Sequence, residues 1–337
     1  MNQFSKLLAG GSLAVLLTGQ GAFAADYQMV MSMQLSDKEN PIYQAFDYIK
    51  TEIEARSEGR IEVKFFPGGA MGGDRELAEG VALGDIQFTS MSTSPVVSFV
   101  PELAVFDLPY VFPHDTEVLQ NVLLHSDFTQ SLDSYMQPNG FRLAGFFNAG
   151  FRQLTTSDTP VHTVADIENA RLRIRVQENP FHIELWNLLG AAPTPIAYTE
   201  LYGALQQGVV DGQENPFVNI LASKFYEVQG YLTETSHILL ANINLMDAAW
   251  FNSLPADLQE VVDTVVSEAV DAQWKTQSAA LESQKAELAE SMTIITLEPE
   301  ALAEFQSRTA PMVDKIRSSI GDDLVDGLMA AIETASR

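Results

Sequence analysis

Residues 171–216 read R-L-R-I-R-V-Q-E-N-P-F-H-I-E-L-W-N-L-L-G-A-A-P-T-P-I-A-Y-T-E-L-Y-G-A-L-Q-Q-G-V-V-D-G-Q-E-N-P, and their order of apolar and turn residues decides the fold class. Residues 172–176 have the pattern of a short strand. Asn179-Pro180 then combines a helix N-cap with a proline at the first helical position, and Gly190 is a helix stop. A strand followed by such a helix predicts a βαβ unit.

The rest of this stretch repeats the pattern. Tyr198 ends a short extended segment, Thr199 is placed to cap a helix, and Gly208 closes that helix. The same alternation occurs earlier in the chain, with strands predicted at residues 27–35, 60–66 and 86–91 and helices starting after Asn40 and near Asp74. We therefore predict an α/β protein with two halves, each built on a largely parallel sheet.

A long helix is predicted late in the chain. After Pro255 no glycine or proline occurs until beyond residue 292, and an apolar stripe recurs at helical spacing. One helix of this length would extend about 55 Å, which is longer than a single small domain. Either one helix spans both halves, or a tight turn divides it into two. A short strand is predicted next, at residues 292–297.

Composition narrows the classes of partner. The 337 residues are enough for about two domains, and the formal net charge is −26. Such an acidic chain argues against nucleic acid or an anionic membrane surface as a partner, and it favours a salty habitat such as that of a marine or halophilic bacterium. Cysteine is absent, so a disulfide scaffold, a thiol nucleophile and a cysteine-zinc site are all excluded.

The first residues have the pattern of a secretory signal peptide. Lys6 precedes an apolar run at residues 7–17, and Ala22-Phe23-Ala24 is a small-x-small cleavage site. We expect cleavage after Ala24 and export to the periplasm. An uncleaved membrane anchor is the alternative, although polar residues interrupt the apolar run.

Motifs of catalysis are missing. The five histidines are scattered, neither H-E-x-x-H nor G-x-S-x-G occurs, and the glycine-rich residues 68–73 lack the spacing of a phosphate-binding loop. We therefore expect no catalytic residue, no metal and no cofactor.

Groups suited to binding an anion are present instead. Arg175 ends an apolar strand, and ligands of open α/β sheets bind beyond the carboxyl ends of strands. Arginine can hold a carboxylate through two parallel hydrogen bonds, although Arg175 could equally lie on an edge strand and pair with an acid. Arg152 is a weaker candidate of the same kind. Tyr198 could be a core residue, and Asn215 a turn residue.

Longer motifs resemble those of one transport family. The segments G-F-R-Q-L-T-T-S, R-I-R-V-Q-E-N-P, L-G-A-A-P-T-P-I-A-Y-T-E-L and V-D-G-Q-E-N-P are similar to the substrate-binding subunits of tripartite ATP-independent periplasmic (TRAP) transporters, in the dicarboxylate and sialic-acid branch. The resemblance implies a two-lobed, periplasmic-binding-protein-like fold of type II-like character, with hinge strands and a long helix that spans the lobes. It places residues 25–149 and 241–282 in lobe I, and 150–240 and 283–337 in lobe II.

The resemblance also implies roles for particular residues. Arg175 matches the arginine that clamps the substrate carboxylate, while Arg152, Asn215 and Tyr198 match other ligand-binding positions. Asp74 matches a position that contacts the polar tail of the ligand in some members. Further matches, in the polar network that orients the clamp arginine, are Glu214 and His237.

One departure from the family pattern bears on the ligand. Sialic-acid binders carry an acid and an arginine after the third strand, where this chain has S-M-S-T-S-P at residues 90–95. Small hydroxyls favour a C4-dicarboxylate or a sugar acid.

The expected function is that of a monomeric periplasmic receptor, which delivers its acid to TRAP permease subunits for uptake driven by an ion gradient. Two alternatives are a receptor of an ATP-driven (ABC) importer and a secreted hydrolase or lyase.

Overall fold

The computed structural model describes residues 25–337, so the predicted signal peptide lies outside the described residues. Eleven strands occur in this part of the chain: β1 Tyr27–Ser32, β2 Ile61–Phe66, β3 Phe88–Ser92, β4 Phe141–Phe151, β5 Gln153–Thr156, β6 Arg173–Val176, β7 Ala192–Pro195, β8 Gly212–Asn215, β9 Tyr231–Glu234, β10 Leu239–Asp247 and β11 Thr293–Thr296.

The helices lie between and after these strands. They are α1 Pro41–Arg56, α2 Asp74–Leu83, α3 Thr93–Val96, α4 Thr116–His125, α5 Asp127–Met136, α6 Val164–Ala170, α7 Pro180–Leu188, α8 Tyr198–Gln206, α9 Phe217–Ala222, α10 Ala248–Ser253, α11 Ala256–Ala289, α12 Pro299–Thr309, α13 Pro311–Ile320 and α14 Asp322–Ala335. Three 3-10 segments, at Pro101–Asp107, Gln137–Asn139 and Phe225–Glu227, complete the set.

The strands form two sheets, as the two predicted halves require. The first sheet has the order β2-β1-β3-β10-β4, and the second has the order β11-β9-β5-β8-β6-β7. β6, which carries Arg175, pairs on both sides and is therefore not an edge strand.

Each sheet is largely parallel, as predicted, and contains one strand that runs against the others. β10 runs antiparallel to β3 and β4, and β5 runs antiparallel to β8 and β9. The chain crosses directly from the first sheet to the second between β4 and β5, and it returns between β9 and β10. No helix lies between β4 and β5 or between β9 and β10. A helical crossover is needed only where consecutive strands are parallel neighbours in one sheet. The two crossings make a pair of connecting strands between the sheets.

Local signals explain where the helices begin. The Asn40 side chain accepts a hydrogen bond from Ile42 N at 2.8 Å, and Asn179 caps α7 in the same way through Phe181 N at 2.7 Å. A proline stands at the first helical position after each cap, as predicted. Tyr198 differs from the prediction, because the extended stretch ends at Pro195 and Tyr198 is already the first residue of α8.

The long late element is a single helix. α11 has 34 residues, or about 51 Å, so the alternative of two helices joined by a turn is wrong. It packs on α1 and β4 of the first sheet's layer and on α9 and β11 beside the second. Trp274 Nε1 donates to Phe146 O at 2.8 Å, while Leu288 is buried in a cluster of the second sheet. The helix therefore spans both halves. No helix between residues 25 and 337 is long and apolar enough to cross a membrane.

The C-terminal helices divide between the two halves. α12 packs on α6 and α7 beside the second sheet, whereas α14 packs on α4 and α5, and α13 packs on the 3-10 segment 101–107. The apolar residues of α13 and α14, among them Met312 and Leu328, belong to the core of the first sheet. The division into lobes remains a prediction, and this packing favours assigning residues 311–337 to lobe I instead of lobe II.

Candidate ligand-binding site

Two neighbouring cavities lie between the two sheets. One, of about 50 Å³, is lined by Gln34, Asp74, Ser90 and Asn242 on the side of the first sheet and by Arg152, Gln177, Tyr198, Asn215 and Asn219 on the side of the second. The other, of about 280 Å³, is lined by Arg175 together with Asp74, Gln177 and Tyr198. Because they share three residues, the cavities form one composite cleft. Its polar lining includes every ligand-binding residue expected from the sequence.

The two halves touch beside this cleft. Ser92 Oγ, at the end of β3, donates to Gln177 Oε1 across the gap at 3.1 Å. Asn179 Nδ2 donates to Ser94 Oγ and to Asp107 Oδ2, both at 2.7 Å. All of these side chains are buried. The structure therefore has the halves closed on one another.

Arg152 lies where the chain crosses from β4 to β5, and its guanidinium is almost completely buried, at 1% exposure. Nε bonds to Glu214 Oε2, and Nη2 donates to Glu214 Oε1 at 2.9 Å and to Glu214 O at 2.7 Å. Nη1 has no hydrogen-bond partner. Arg152 is thus held rigidly by one carboxylate while one N–H side remains available at the cleft.

Two histidines complete the environment of Glu214. His237 Nε2 lies 3.3 Å from Glu214 Oε2, and His182 Nδ1 lies 3.5 Å from Glu214 Oε1. His182 Nε2 also contacts Asp107 Oδ1 at 3.1 Å. These contacts link the Arg152–Glu214 pair to the first half of the molecule through His182.

Opposing effects set the protonation of this cluster. Burial acts to raise the pKa of Glu214, but the charge of Arg152 and the two neighbouring histidines hold that pKa well below its usual range. Burial acts to lower the pKa of His182, and the bond to Asp107 and the nearby carboxylate of Glu214 outweigh this and raise it. For His237 burial prevails and lowers the pKa. Glu214 is therefore a permanent anion that compensates Arg152.

Arg175 is buried to 2% exposure but is bound differently. Its Nε donates to the backbone oxygen of Ile196 at 2.7 Å, and its Nη1 has no partner. Burial, and then the like charge of Arg152, lower the pKa of Arg175 to about 10, so it stays protonated at neutral pH. A buried cation with an unsatisfied N–H favours an incoming anion.

Glu214 and His237 were expected to orient the clamp arginine, Arg175, but in the structure Glu214 bonds to Arg152 and His237 lies beside Glu214. The reason is the alternation of side chains along β8. Glu214 is in register with Leu154 of β5, two residues from Arg152, whereas Arg175 is in register with Gln213. Successive residues of a strand face opposite sides of a sheet, so Glu214 and Arg175 lie on different faces.

Asp74 is the first residue of α2 and lines both cavities. Its Oδ1 accepts a hydrogen bond from Gln34 Nε2. Burial raises the pKa of Asp74 to about 7, against the opposing influence of Arg175 and of the Gln34 bond. Asp74 is thus an acceptor whose charge changes near neutral pH.

This pKa predicts a pH dependence of stability. The unfolded pKa of Asp74 is about 4 and the folded pKa is about 7, so the folded state binds more protons between these values. The contribution of Asp74 to the free energy of unfolding is fully present below about pH 4 and is lost as the pH rises through about 7. We expect the difference in unfolding free energy between ligand-free wild type and Asp74→Asn to change across this window in chemical denaturation. A difference that is constant with pH would contradict the assignment.

Tyr198 and Asn215 complete the set expected from the sequence. The Tyr198 hydroxyl is 2.6 Å from Ser223 Oγ, and its ring packs edge-on against Phe225 with centroids 5.9 Å apart. Burial raises the pKa of Tyr198 to about 12, so the hydroxyl stays protonated. Asn215 Nδ2 donates to Gln213 Oε1 at 2.6 Å. Both side chains are therefore fixed in place from behind the cleft.

Sequence reasoning missed five residues of this region, one of which is Asn242 of the smaller cavity. Gln34, Gln177 and Asn219 line the cleft, and His182 joins the cluster around Glu214. One signal for His182 was present, because it precedes Trp186 by four residues on the buried face of a predicted helix. Isolated amides such as Asn219 carry no comparable signal.

Comparisons with known proteins place the chain among its relatives. The profile of the DctP family, described as "Bacterial extracellular solute-binding protein, family 7", matches residues 31–319. A solute-binding protein of Verminephrobacter eiseniae is 36% identical over 238 residues, which is 70% of this chain and 70% of that protein.

Solved structures are similar as well. The sugar acid binding protein of Advenella mimigardefordensis in complex with galactonate has a TM-score of 0.86 and 29% identity, covering 91% of this chain and 98% of that one. A TRAP periplasmic solute-binding protein of Sulfurospirillum deleyianum with bound succinate has a TM-score of 0.84 and 29% identity, with 91% and 99% covered. The likeness therefore extends over nearly the whole of the described chain.

Proposed function

We propose a ligand class and a mode of binding from the premise that this chain belongs to the DctP family of bacterial extracellular solute-binding proteins, family 7. Proteins of this family are receptors of TRAP transport systems, and the two-lobed α/β fold is theirs. The ligand of this chain is a small organic acid, and its carboxylate is held by Arg175 and Arg152.

The observation that carries the proposal is that one nitrogen of each guanidinium group has no hydrogen-bond acceptor. Nη1 of Arg152 and Nη1 of Arg175 are both buried and both lack a partner among the described residues. Glu214 neutralises Arg152, whereas Arg175 has only a backbone oxygen as its bonded partner in the structure. A carboxylate that enters the cleft supplies both charge and acceptors, and it removes the penalty of unpaired buried donors.

Binding is coupled to closure in this proposal. The acid enters between separated lobes, and closure forms the contacts of Ser92 with Gln177 and of Asn179 with Ser94. Expelling water strengthens each charge-assisted bond around the ligand. The closed receptor then delivers the acid to the membrane permease, and an ion gradient drives uptake. The mature protein starts at Ala25, after removal of the signal peptide in the periplasm, and acts as a monomer.

A thermal-shift panel followed by calorimetry tests this function. Dicarboxylates, aldonates, uronates and keto acids are compared with sugars and amines of similar size. A ligand that binds only the folded state raises the unfolding midpoint, by an amount that grows with the ratio of its concentration to Kd. We expect at least one acid to bind, to remain chemically unchanged, and to be recovered intact on unfolding. If no acid shifts the midpoint while a neutral or cationic compound does, the proposal is wrong.

Neither alternative from the sequence gains support. The family match favours a TRAP receptor over the receptor of an ATP-driven importer. A hydrolase or lyase would consume its ligand, and recovery of intact acid in the same experiment separates a receptor from an enzyme.

A further inference from the structure

The hydrogen-bonding groups that line the cleft are of two kinds, donors and acceptors, and the two kinds lie in different parts of the cleft. The unpartnered buried atoms at the two cavities are Arg152 Nη1, Arg175 Nη1, Gln34 Oε1, Ser90 Oγ and Asn219 Oδ1. The arginines can only donate, and the two amide oxygens can only accept. The Asp74 carboxylate adds a further acceptor. A ligand that satisfies the cleft must therefore bring hydrogen-bond donors as well as a carboxylate.

A chain of buried side chains fixes the orientation of Asn219. Asn219 Nδ2 donates to Asn215 Oδ1 at 3.5 Å, and Asn215 Nδ2 donates to Gln213 Oε1 at 2.6 Å. Gln213 Nε2 then donates to Thr155 Oγ1 at 2.8 Å, and Thr155 Oγ1 donates to Gln229 Oε1 at 2.9 Å. Every link runs in the same direction. We call these five residues the amide relay.

The far end of the amide relay sets its direction. Gln229 Nε2 donates to the backbone oxygen of Val228 at 3.0 Å, and a carbonyl oxygen can only accept. Gln229 must therefore turn its Oε1 toward Thr155. The single hydroxyl proton of Thr155 is used in the bond to Gln229, so Thr155 can only accept from Gln213. Reversing any amide in the relay would place two donors or two acceptors face to face. Asn219 consequently presents Oδ1, an acceptor, to the cleft.

A second acceptor is fixed on the opposite wall. Gln34 Nε2 donates to Asp74 Oδ1, which leaves Gln34 Oε1 without a partner. Gln177 differs, because its Oε1 is occupied by Ser92 Oγ and its remaining polar group is the Nε2 donor. Away from the arginines the cleft therefore combines several acceptors with a donor. Hydroxyl groups can both donate and accept, whereas a carboxylate only accepts and an ammonium only donates.

We propose that the ligand is a polyhydroxylated monocarboxylate, whose carboxylate lies against Arg152 and Arg175 and whose hydroxyls donate to Asn219, Gln34 and Asp74. This inference rests on the proposed function. An unhydroxylated dicarboxylate would bring its second carboxylate against Asp74 and two amide oxygens. The site would then lose its hydrogen bonds and gain a repulsion between like charges, so such acids are rejected.

Matched ligands of equal chain length test the proposal by calorimetry at about pH 8, where Asp74 is ionised. The four-carbon set is erythronate, butyrate and succinate, and the six-carbon set is galactonate, hexanoate and adipate. We expect the hydroxylated acid to bind at least about 100-fold more tightly than both relatives in the better-fitting set, because a site built for hydroxyls rejects analogues that lack them. Succinate or adipate binding as tightly as its hydroxylated partner would overturn the inference and leave the proposed function intact. If no acid of either set binds while another acid of the thermal-shift panel does, the inference is wrong and the proposed function stands.

A variant distant from the ligand tests the amide relay. Thr155→Val removes the hydroxyl between Gln213 and Gln229 with little change of shape, and Thr155 lines neither cavity. We expect the preference for the hydroxylated acid over the dicarboxylate to fall about tenfold. The control is Thr156→Val, which removes a buried hydroxyl bonded to Thr159 O, outside the relay. An unchanged preference in folded Thr155→Val, or an equal loss in the control, would overturn the role of the relay. The wild-type ligand series tests the ligand class even if Thr155→Val does not fold.

Discussion

Replacing Arg175 by alanine is expected to weaken binding of the best acid by about 100-fold or more. Arg175 is buried, and its unpartnered Nη1 faces no acceptor until a ligand arrives. Removing one partner of a buried charge pair costs about 2–5 kcal/mol, much of it from the charge that is left unpaired. In the variant that unpaired charge is the ligand carboxylate, which makes the closed complex unfavourable. Isothermal calorimetry measures the change directly.

Two further variants make this test specific. Arg175→Lys should also bind poorly, because a single ammonium cannot reproduce both the Ile196 contact and a two-point grip on a carboxylate. Arg173→Ala is the matched control, since Arg173 lies two residues earlier on the same strand, is exposed, and pairs with Asp211. It should leave the affinity unchanged. Full affinity in Arg175→Ala, or an equal loss in Arg173→Ala, would show that the carboxylate is held elsewhere.

Local signals in the sequence predicted the elements of the fold well. Asn-Pro pairs marked the starts of α1 and α7, because the cap and the proline act within one turn of the chain. The absence of glycine and proline from residues 256–289 indicated a long helical stretch, and of the two alternatives left open the structure has the unbroken α11. The single opposing strand of each sheet was not predictable in this way. Whether β10 runs with or against β3 depends on pairing between residues about 150 positions apart, which no local pattern records.

The site was predicted in its residues but not in their partners. Arg175, Arg152, Asn215, Tyr198 and Asp74 all line the composite cleft, and their roles in binding remain predictions. The partner of Glu214 was assigned to the wrong arginine. Its choice depends on the register of β5 against β8, and a shift of one residue would turn Glu214 to the other face. Register of this kind follows from the packed sheet and not from the spacing of residues in the sequence.

The second large effect is expected from Glu214→Ala, which should lower the free energy of unfolding by about 3–5 kcal/mol. Glu214 is completely buried and is the only carboxylate bonded to Arg152 among the described residues. Its removal leaves the Arg152 guanidinium charged and uncompensated in the interior. His182 and His237 lose their neighbouring carboxylate at the same time. Urea denaturation of the ligand-free protein measures the loss, and ligand binding should weaken because Arg152 is no longer held in place.

A double variant separates this electrostatic explanation from a simple loss of packing. Replacing the pair together, as Arg152→Met with Glu214→Leu, removes both charges and fills similar volume, and such replacements of buried ion pairs are often neutral for stability. We expect the double variant to recover most of the stability that Glu214→Ala loses, yet to bind the acid poorly, since Arg152 is absent. Glu79→Ala is the surface control, because it breaks only the exposed pair with Arg75 and should cost no more than about 1 kcal/mol. If Glu214→Ala costs no more than this control, Glu214 does not compensate a buried charge. If the double variant is as unstable as Glu214→Ala, the loss comes from packing and not from the unpaired guanidinium.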